Sequence, residues 1–183
     1  NSELFSIKSH ELISKVDFKP DLVIGILNGG GFVLDEIKTK YNFESNNFGL
    51  VKYKRYNKLK NNPIVNFLIR LLPYKVSNWV RNIESNIAKK SIVTLNLSEL
   101  SNIEIDLNFT ANLDRTISSI LIIDDAIDTG RTIFIVKNNL SKLFPKAIIK
   151  TAVISWTLEM SIIKPDYHIF KNVLVRFPWS KDY

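Results

Sequence analysis

Residues 120–132 have the sequence ILIIDDAIDTGRT, which indicates the fold class more clearly than any other part of the chain. Its apolar half continues the run 117–123, which is typical of a strand buried on both faces, as in a parallel sheet. Two carboxylates, Asp124 and Asp125, follow the strand, and a Thr-Gly turn precedes a helix predicted over 133–143. A strand, a polar loop and a helix in this order indicate an α/β protein.

The rest of the chain continues the alternation of strands and helices. Strands are predicted at 22–27, 48–53, 91–97, 102–109, 148–155 and 173–177, and helices at 10–16, 32–41, 64–72 and 76–87. Ser9 is the predicted N-cap of the first helix, and the glycine run 29–31 forms a predicted turn after the first strand. We therefore expect an α/β fold with a mostly parallel central sheet flanked by helices.

The composition narrows the class of protein. A chain of 183 residues with a hydrophobic fraction of 45% suits one domain with its own core. The lack of cysteine excludes disulfide frameworks, thiol nucleophiles and cysteine metal sites. No apolar run approaches the roughly 20 residues of a membrane span, and residues 1–3 lack the basic-then-apolar order of a secretion signal. We expect a cytoplasmic protein.

The net charge of +7 is concentrated in one segment. Residues 51–90 hold ten Lys and Arg residues against the single acid Glu84, a net charge of +9, so the rest of the chain carries −2. Such a segment suits phosphate-rich ligands, nucleic acid or an anionic membrane surface. A solvated lysine-rich face is an equally good interpretation of the same residues.

The strand-end loop has the chemistry of a sugar phosphate site. Gly130 lets the backbone approach an anion closely. The amides of 129–132 can point at a phosphate at the start of the helix, where the helix dipole also favours negative charge. Asp124 and Asp125 would repel a phosphate, but they suit sugar hydroxyls or a Mg²⁺ ion. A phosphate and a diol within one sugar's length make ribose 5-phosphate the simplest ligand. Capping of the helix by aspartates is the structural alternative.

The stretch 120–132 resembles the motif with which type I phosphoribosyltransferases bind phosphoribosyl pyrophosphate (PRPP). The resemblance implies that the fold of that family spans 1–183 as a single domain and that Mg²⁺ binds at Asp124 and Asp125. The PRPP-binding residues that it implies are Asp124, Asp125, Ala126, Ile127, Asp128, Thr129, Gly130, Arg131 and Thr132.

The turn Asn28-Gly29-Gly30 resembles the pyrophosphate loop of the same family. There the backbone amides of the glycine turn would hold the pyrophosphate of PRPP. Many members of the family have Arg or Lys where this chain has Asn28, so one positive charge toward the pyrophosphate is missing here.

Asp128 and the C-terminal residues resemble the branch of the family that acts on 6-oxopurines. In that branch the third acid, here Asp128, is the proposed general acid or base, and a hood, here about 156–183, covers the base. The resemblance implies base contacts by Trp156, Leu174 and Val175. Trp156 stands where the branch has a lysine that reads the 6-oxo group, and Leu174 stands where it has a stacking aromatic residue. Trp156 therefore either stacks on a base or fills the core.

The segment of about 57–90 stands where the family has its mobile catalytic loop and is predicted to be a long basic helical insertion. Its two predicted helices would cover the site, form a dimer contact, touch a membrane surface or pack in the core. The resemblance as a whole implies transfer of the phosphoribosyl group from Mg²⁺-PRPP to a nucleobase, with a 6-oxopurine as the expected acceptor and a homodimer as the expected assembly. Three alternatives stay open: a regulatory protein that binds PRPP or a nucleotide and acts on RNA, a transferase for a non-purine acceptor, and a domain of a larger enzyme.

Overall fold

The computed structural model describes residues 2–38, 47–53, 86–105, 107–109 and 117–179. The helices are α1 (Ser2–Ser14), α2 (Gly29–Lys38), α3 (Leu97–Ser101) and α4 (Arg131–Leu143), and residues 86–93 are also helical. The strands are β1 (Leu22–Leu27), β2 (Phe48–Lys52), β3 (Leu107–Phe109), β4 (Ser119–Ile127), β5 (Ile148–Trp156) and β6 (Tyr167–Lys171).

The six strands form one sheet in the order β3-β2-β1-β4-β5-β6. All neighbours are parallel except the edge pair β2 and β3, which is antiparallel. The predicted mostly parallel sheet is therefore confirmed. Because β1, β4 and β5 are parallel, their carboxyl ends meet at one edge of the sheet, where ligands bind in open α/β proteins.

Alternate residues of the central strands face two separate cores. On one face, Val23, Leu121 and Ile123 pack with the apolar residues of α1 and α2. On the other face, Ile24 and Ile122 pack with the apolar residues of α4. The sheet is thus the middle of three layers, and burial on both faces explains why its strands are continuous apolar runs.

Asp21 fastens the start of β1 to the start of β4, opposite the carboxyl edge. Its Oδ2 accepts hydrogen bonds from the backbone amides of Ser118 and Ser119, both at 2.9 Å, and from their hydroxyls at 2.7 and 3.0 Å. These donors, the Ser118 hydroxyl foremost, lower the pKa of Asp21. The carboxylate therefore contributes to stability in its ionised form.

Several predicted elements are wrong. Helix α1 begins at Ser2 and not near residue 10, and Ser9 is completely buried within it instead of capping it. The strand predicted at 91–97 is helical at 91–93, and 97–101 is α3. The strand predicted at 173–177 is irregular, and the last strand is β6.

Other expectations are confirmed or shifted at their ends. The strand predicted at 102–109 is reduced to 107–109. The turn predicted at the glycine run 29–31 is wrong, because these residues form the first turn of α2, which begins before the predicted residue 32. The helix predicted at 64–72 and most of the one at 76–87 lie outside the described residues. No helix within the described ranges is long and apolar enough to cross a membrane.

Candidate functional site

Strand β4 carries both acids into the carboxyl edge of the sheet. Asp124 pairs with Val153 and Ala126 with Ser155 of β5, so the strand continues four residues past the end of its apolar run. This pairing holds Asp124 in the sheet, where only 6% of its surface is exposed. Its Oδ1 accepts the backbone amide of Asp125 at 2.9 Å. The acid pair is therefore fixed by the strand and not by a flexible loop.

The carboxylate of Asp125 is held inside the protein. Its Oδ1 accepts the backbone amide of Ala126 at 2.8 Å, and its Oδ2 accepts the indole N–H of Trp179 at 3.1 Å. The pKa of Asp125 is raised, because burial outweighs the hydrogen bonding with Trp179, Asp124 and the amide of Ala126 that lowers it, and the negative charge of Asp128 raises it further. A ligand that brings positive charge to this carboxylate would therefore be favoured.

The first turn of α2 lies directly against the acid pair. A Cβ atom at Gly29 would lie 2.0 Å from Oδ2 of Asp125. A Cβ atom at Gly30 would lie 2.3 Å from the carbonyl oxygen of Ile123 and 2.8 Å from Cα of Asp124. The two glycines thus allow the helix to start in contact with β4. The turn that resembles a pyrophosphate loop is therefore in direct contact with the two acids.

The turn between β4 and α4 is shaped by Gly130 and supported from behind. Gly130 has a φ angle of 81°, in the left-handed region, and a Cβ there would lie 2.8 Å from the amide nitrogen of Ile163. The amide of Ile162 donates to the carbonyl of Thr129 at 3.0 Å. Helix α4 begins at Arg131, and its positive end faces the turn. This is the geometry of an anion site at a helix start.

The other residues that resemble the PRPP motif have different surroundings. Ile127 is 2% exposed and lies in the core, and Ala126 packs against the core on the opposite face. Asp128 and Thr129 are half-buried in the turn, Thr132 is buried in the first turn of α4, and Arg131 is exposed. Ile127 therefore has only its backbone to offer a ligand.

Trp156 fills the core at the end of β5. Its side chain is 6% exposed, and its indole N–H donates to the hydroxyl of Ser161 at 2.9 Å. The ammonium group of Lys171 lies 4.9 Å from the indole, and the ring of His168 packs against it at 5.4 Å. Of the two interpretations of Trp156, these contacts favour core packing.

Leu174 and Val175 lie beside the ends of β5 and β6. The carbonyl of Val173 accepts a hydrogen bond from the hydroxyl of Ser155, which places this segment next to the last residues of β5. Leu174 is 45% exposed, and Val175 is half-buried. Leu174 is therefore an exposed apolar side chain beside the carboxyl ends of β5 and β6.

Trp179 is the site residue that the sequence did not reveal. Its ring meets Phe5 of α1 at 4.8 Å, Phe32 of α2 at 4.7 Å and Phe177 at 5.0 Å, and Phe5 and Phe32 lie 174 and 147 positions away in the sequence. Contacts between residues so far apart leave no local pattern in the sequence. The only sequence signal for this position is that Phe177 and Trp179 are aromatic residues close to each other.

The donor set fits a magnesium ion that arrives with its ligand. Among the described residues no group of three or more His, Cys, Asp or Glu side chains could hold a metal by itself. Mg²⁺ in phosphate sites uses one or two carboxylates, substrate phosphates and water. Asp124 and Asp125, which lie against the glycine turn, supply such a pair of carboxylates.

Solved structures of phosphoribosyltransferases are similar to this chain over almost its whole length. A hypoxanthine-guanine phosphoribosyltransferase from Bacillus anthracis has a TM-score of 0.59 and 14% identity, covering 97% of this chain and 83% of that one. A xanthine-guanine-hypoxanthine phosphoribosyltransferase from Helicobacter pylori has a TM-score of 0.57 and 12% identity, covering 93% and 84%.

A purine phosphoribosyltransferase from Pyrococcus horikoshii has a TM-score of 0.55 and 18% identity, covering 96% of this chain and 87% of that one. The chain has the type I phosphoribosyltransferase fold. No family model and no curated protein matches its sequence. At these identities the likeness establishes the fold, and the reaction is a matter for proposal.

Proposed function

We propose that this protein is a phosphoribosyltransferase that moves the 5-phosphoribosyl group of Mg²⁺-PRPP to a nucleobase and releases pyrophosphate. One observation carries the proposal. The acid pair on β4, the glycine turn of α2 and the turn before α4 converge at the carboxyl edge of the sheet, with Gly29 in direct contact with Asp125. A ribose with phosphates at two ends needs these three features together.

Each part of the site has its own task in the proposed reaction. The turn from Thr129 to Thr132 binds the 5-phosphate through backbone amides and the start of α4. Asn28, Gly29 and Gly30 bind the pyrophosphate through the start of α2. Asp124 and Asp125 hold the ribose hydroxyls, directly or through the hydration shell of Mg²⁺. The ion stabilises the charge of the leaving pyrophosphate when it is bound.

Asp128 is the proposed general acid or base. The bond from the ribose C1′ to the pyrophosphate oxygen breaks, and a bond from C1′ to a ring nitrogen of the acceptor forms. The carboxylate of Asp128 takes the proton that this nitrogen loses. Its half-buried place in the turn, next to the proposed phosphate site, supports this role.

A 6-oxopurine is the proposed acceptor, bound beside Leu174 and Val175. The burial of Trp156 favours a second candidate function, because the position where 6-oxopurine enzymes have a lysine is here part of the core. In that case the chain binds PRPP or a nucleotide as a regulator, with RNA as a partner, or transfers the ribosyl group to a non-purine acceptor. The PRPP half of the site is the same in all of these.

The proposal extends to the organisation of the chain. One phosphoribosyltransferase domain spans 1–183, with a basic insertion at about 57–90 and a hood at about 156–183. We propose that the protein is a homodimer, which size-exclusion chromatography with light scattering would test. We also propose that it is cytoplasmic, which localisation of the tagged protein would test. Most of the insertion lies outside the described residues.

The test is pyrophosphate release from Mg²⁺-PRPP with hypoxanthine, guanine, xanthine, adenine, uracil and orotate in turn. Release with one base should be lost in an Asp124→Asn/Asp125→Asn variant and kept in Asp35→Asn. Asp35 is a matched control, since its carboxylate is 70% exposed on α2. If no pyrophosphate is released with any of the six bases, while PRPP still raises the melting temperature, the result would favour the regulatory candidate over the enzyme.

A further inference from the structure

The C-terminal segment of the described chain, residues 172–179, runs along the carboxyl edge of the sheet and ends on the acid pair. It leaves β6 where the amide of Asn172 donates to the carbonyl of Trp156 at 2.8 Å. It passes the end of β5, where Ser155 binds the carbonyl of Val173. At its far end Trp179 donates to Asp125 on β4. The segment thus connects the proposed acceptor side of the site to the proposed PRPP side.

The ring of Trp179 is fixed independently of its hydrogen bond. Phe177 stacks on it with an angle of 12° between the planes, Phe32 stacks at 30°, and Phe5 meets it edge-on at 86°. Three aromatic contacts from α1, α2 and the segment itself leave the indole little freedom. The direction of its N–H is therefore set by packing before any ligand binds.

An indole N–H is suited to hold a carboxylate that must also bind a ligand. It donates one hydrogen bond and cannot accept one, and it brings no charge that would compete with a metal ion or a sugar hydroxyl. The indole N–H of Trp179 occupies one acceptor site on Oδ2 of Asp125. The missing side chain of Gly29 leaves room for this carboxylate against α2. Each carboxylate oxygen can accept more than one hydrogen bond, so capacity for a ligand remains.

We propose that Trp179 is a positioning residue that fixes the carboxylate of Asp125 toward the ribose of PRPP and makes segment 172–179 part of the PRPP site. The inference rests on the proposed function and deepens it. The motif at 120–132 is therefore not the whole of the proposed PRPP site, because Asp125 is oriented by Trp179, which lies 54 positions away in the sequence.

The test is a double-mutant cycle of Trp179→Phe and Asp125→Asn, read by calorimetry with Mg²⁺-PRPP. Phenylalanine keeps an aromatic ring at the position and removes the N–H donor, together with part of the ring volume that packs against Phe5, Phe32 and Phe177. The cycle separates the two effects, because the loss of volume is the same in the Asp125→Asn background. Trp179→Phe should weaken PRPP binding about tenfold, the effect of one hydrogen bond to a charged group. In the Asp125→Asn background the same change should have less than about a twofold effect, because the charged acceptor is gone. In turnover assays the KM for PRPP should rise, while the KM for the acceptor stays unchanged.

A second measurement uses the unchanged protein, in case Trp179→Phe does not fold. The indole N–H resonance of Trp179 in a ¹H–¹⁵N spectrum should shift on saturation with Mg²⁺-PRPP and should not shift with nucleobase alone. No shift with bound PRPP, equal affinity of wild type and Trp179→Phe, or additive effects in the cycle would each overturn the positioning role. Absence of PRPP binding by the wild type is a different result, because it would reject the proposed function itself.

Discussion

The contact between Gly30 and β4 makes a sharp prediction about a single methyl group. In Gly30→Ala the new Cβ would lie 2.3 Å from the carbonyl oxygen of Ile123, whereas ordinary contacts begin at 3.4 Å, a shortfall of about 1.1 Å. The obstacle is backbone on a central strand, so no side chain can rotate away. The start of α2 must therefore move away from β4, or the strand must bend.

The cost follows from this displacement. Overpacking a well-packed contact costs about 1–3 kcal/mol, and replacing glycine by alanine in a helix returns up to about 1 kcal/mol. Because the overlap is with backbone atoms, the cost lies at the upper end of that range, and we expect a net loss of about 2 kcal/mol in the free energy of unfolding. For a chain of this size that corresponds to a fall of about 4–8 °C in melting temperature.

Gly31→Ala is the matched control for this prediction. It adds the same methyl group one residue further along α2, where the nearest atom is Cδ2 of Leu27 at 2.8 Å, the end of a flexible side chain. Thermal unfolding followed by circular dichroism should show Gly31→Ala within about 2 °C of wild type, because the helix propensity gained offsets the small rearrangement. Equal melting temperatures for Gly30→Ala and Gly31→Ala would refute the assigned contact.

Three further predictions concern the turn before α4, the start of the sheet and the proposed proton transfer. Gly130→Ala should weaken PRPP binding in calorimetry, because a left-handed conformation costs a non-glycine residue about 1–2 kcal/mol and the turn must distort; unchanged affinity would contradict the assigned phosphate site. Asp21→Asn should lose about 1 kcal/mol of stability at pH 7, a value reduced for exposure of the carboxylate. Because the folded-state pKa of Asp21 is lowered, its contribution is present above about pH 4, the unfolded pKa, and is lost as the pH falls through the folded value. Urea unfolding should therefore show a smaller difference from wild type at pH 2 than at pH 7. Asp128→Asn should lower kcat by about 100-fold or more and change PRPP affinity little, and equal losses in both would argue against the acid or base role.

The sequence predicted the central part of the fold because burial leaves a clear pattern there. β1 and β5 were placed within one residue of their observed ends, since strands buried on both faces are continuous apolar runs. β4 was cut short at Ile123, because its last four residues include two acids. Pairing of Asp124 and Ala126 with β5 keeps those residues in the strand, and such pairing has no local signal.

The errors lie where local pattern and tertiary packing disagree. Ser9 is a good cap by its chemistry, but it is buried inside α1 against the rest of the fold. β6 is half-buried along most of its length and was not recognised as a strand. The role of Trp179 depends on Phe5 and Phe32, which are more than 140 positions away and lie on two different helices. No spacing rule connects them.

The most direct test of the account is isothermal titration of the protein with PRPP in the presence of Mg²⁺. We expect saturable binding of one PRPP per chain, with weaker binding of ribose 5-phosphate, which keeps the 5-phosphate but lacks the pyrophosphate for the α2 turn. We also expect that Asp124→Asn/Asp125→Asn weakens PRPP binding and that Asp35→Asn does not. No detectable binding of PRPP by the folded wild-type protein would contradict the central claim.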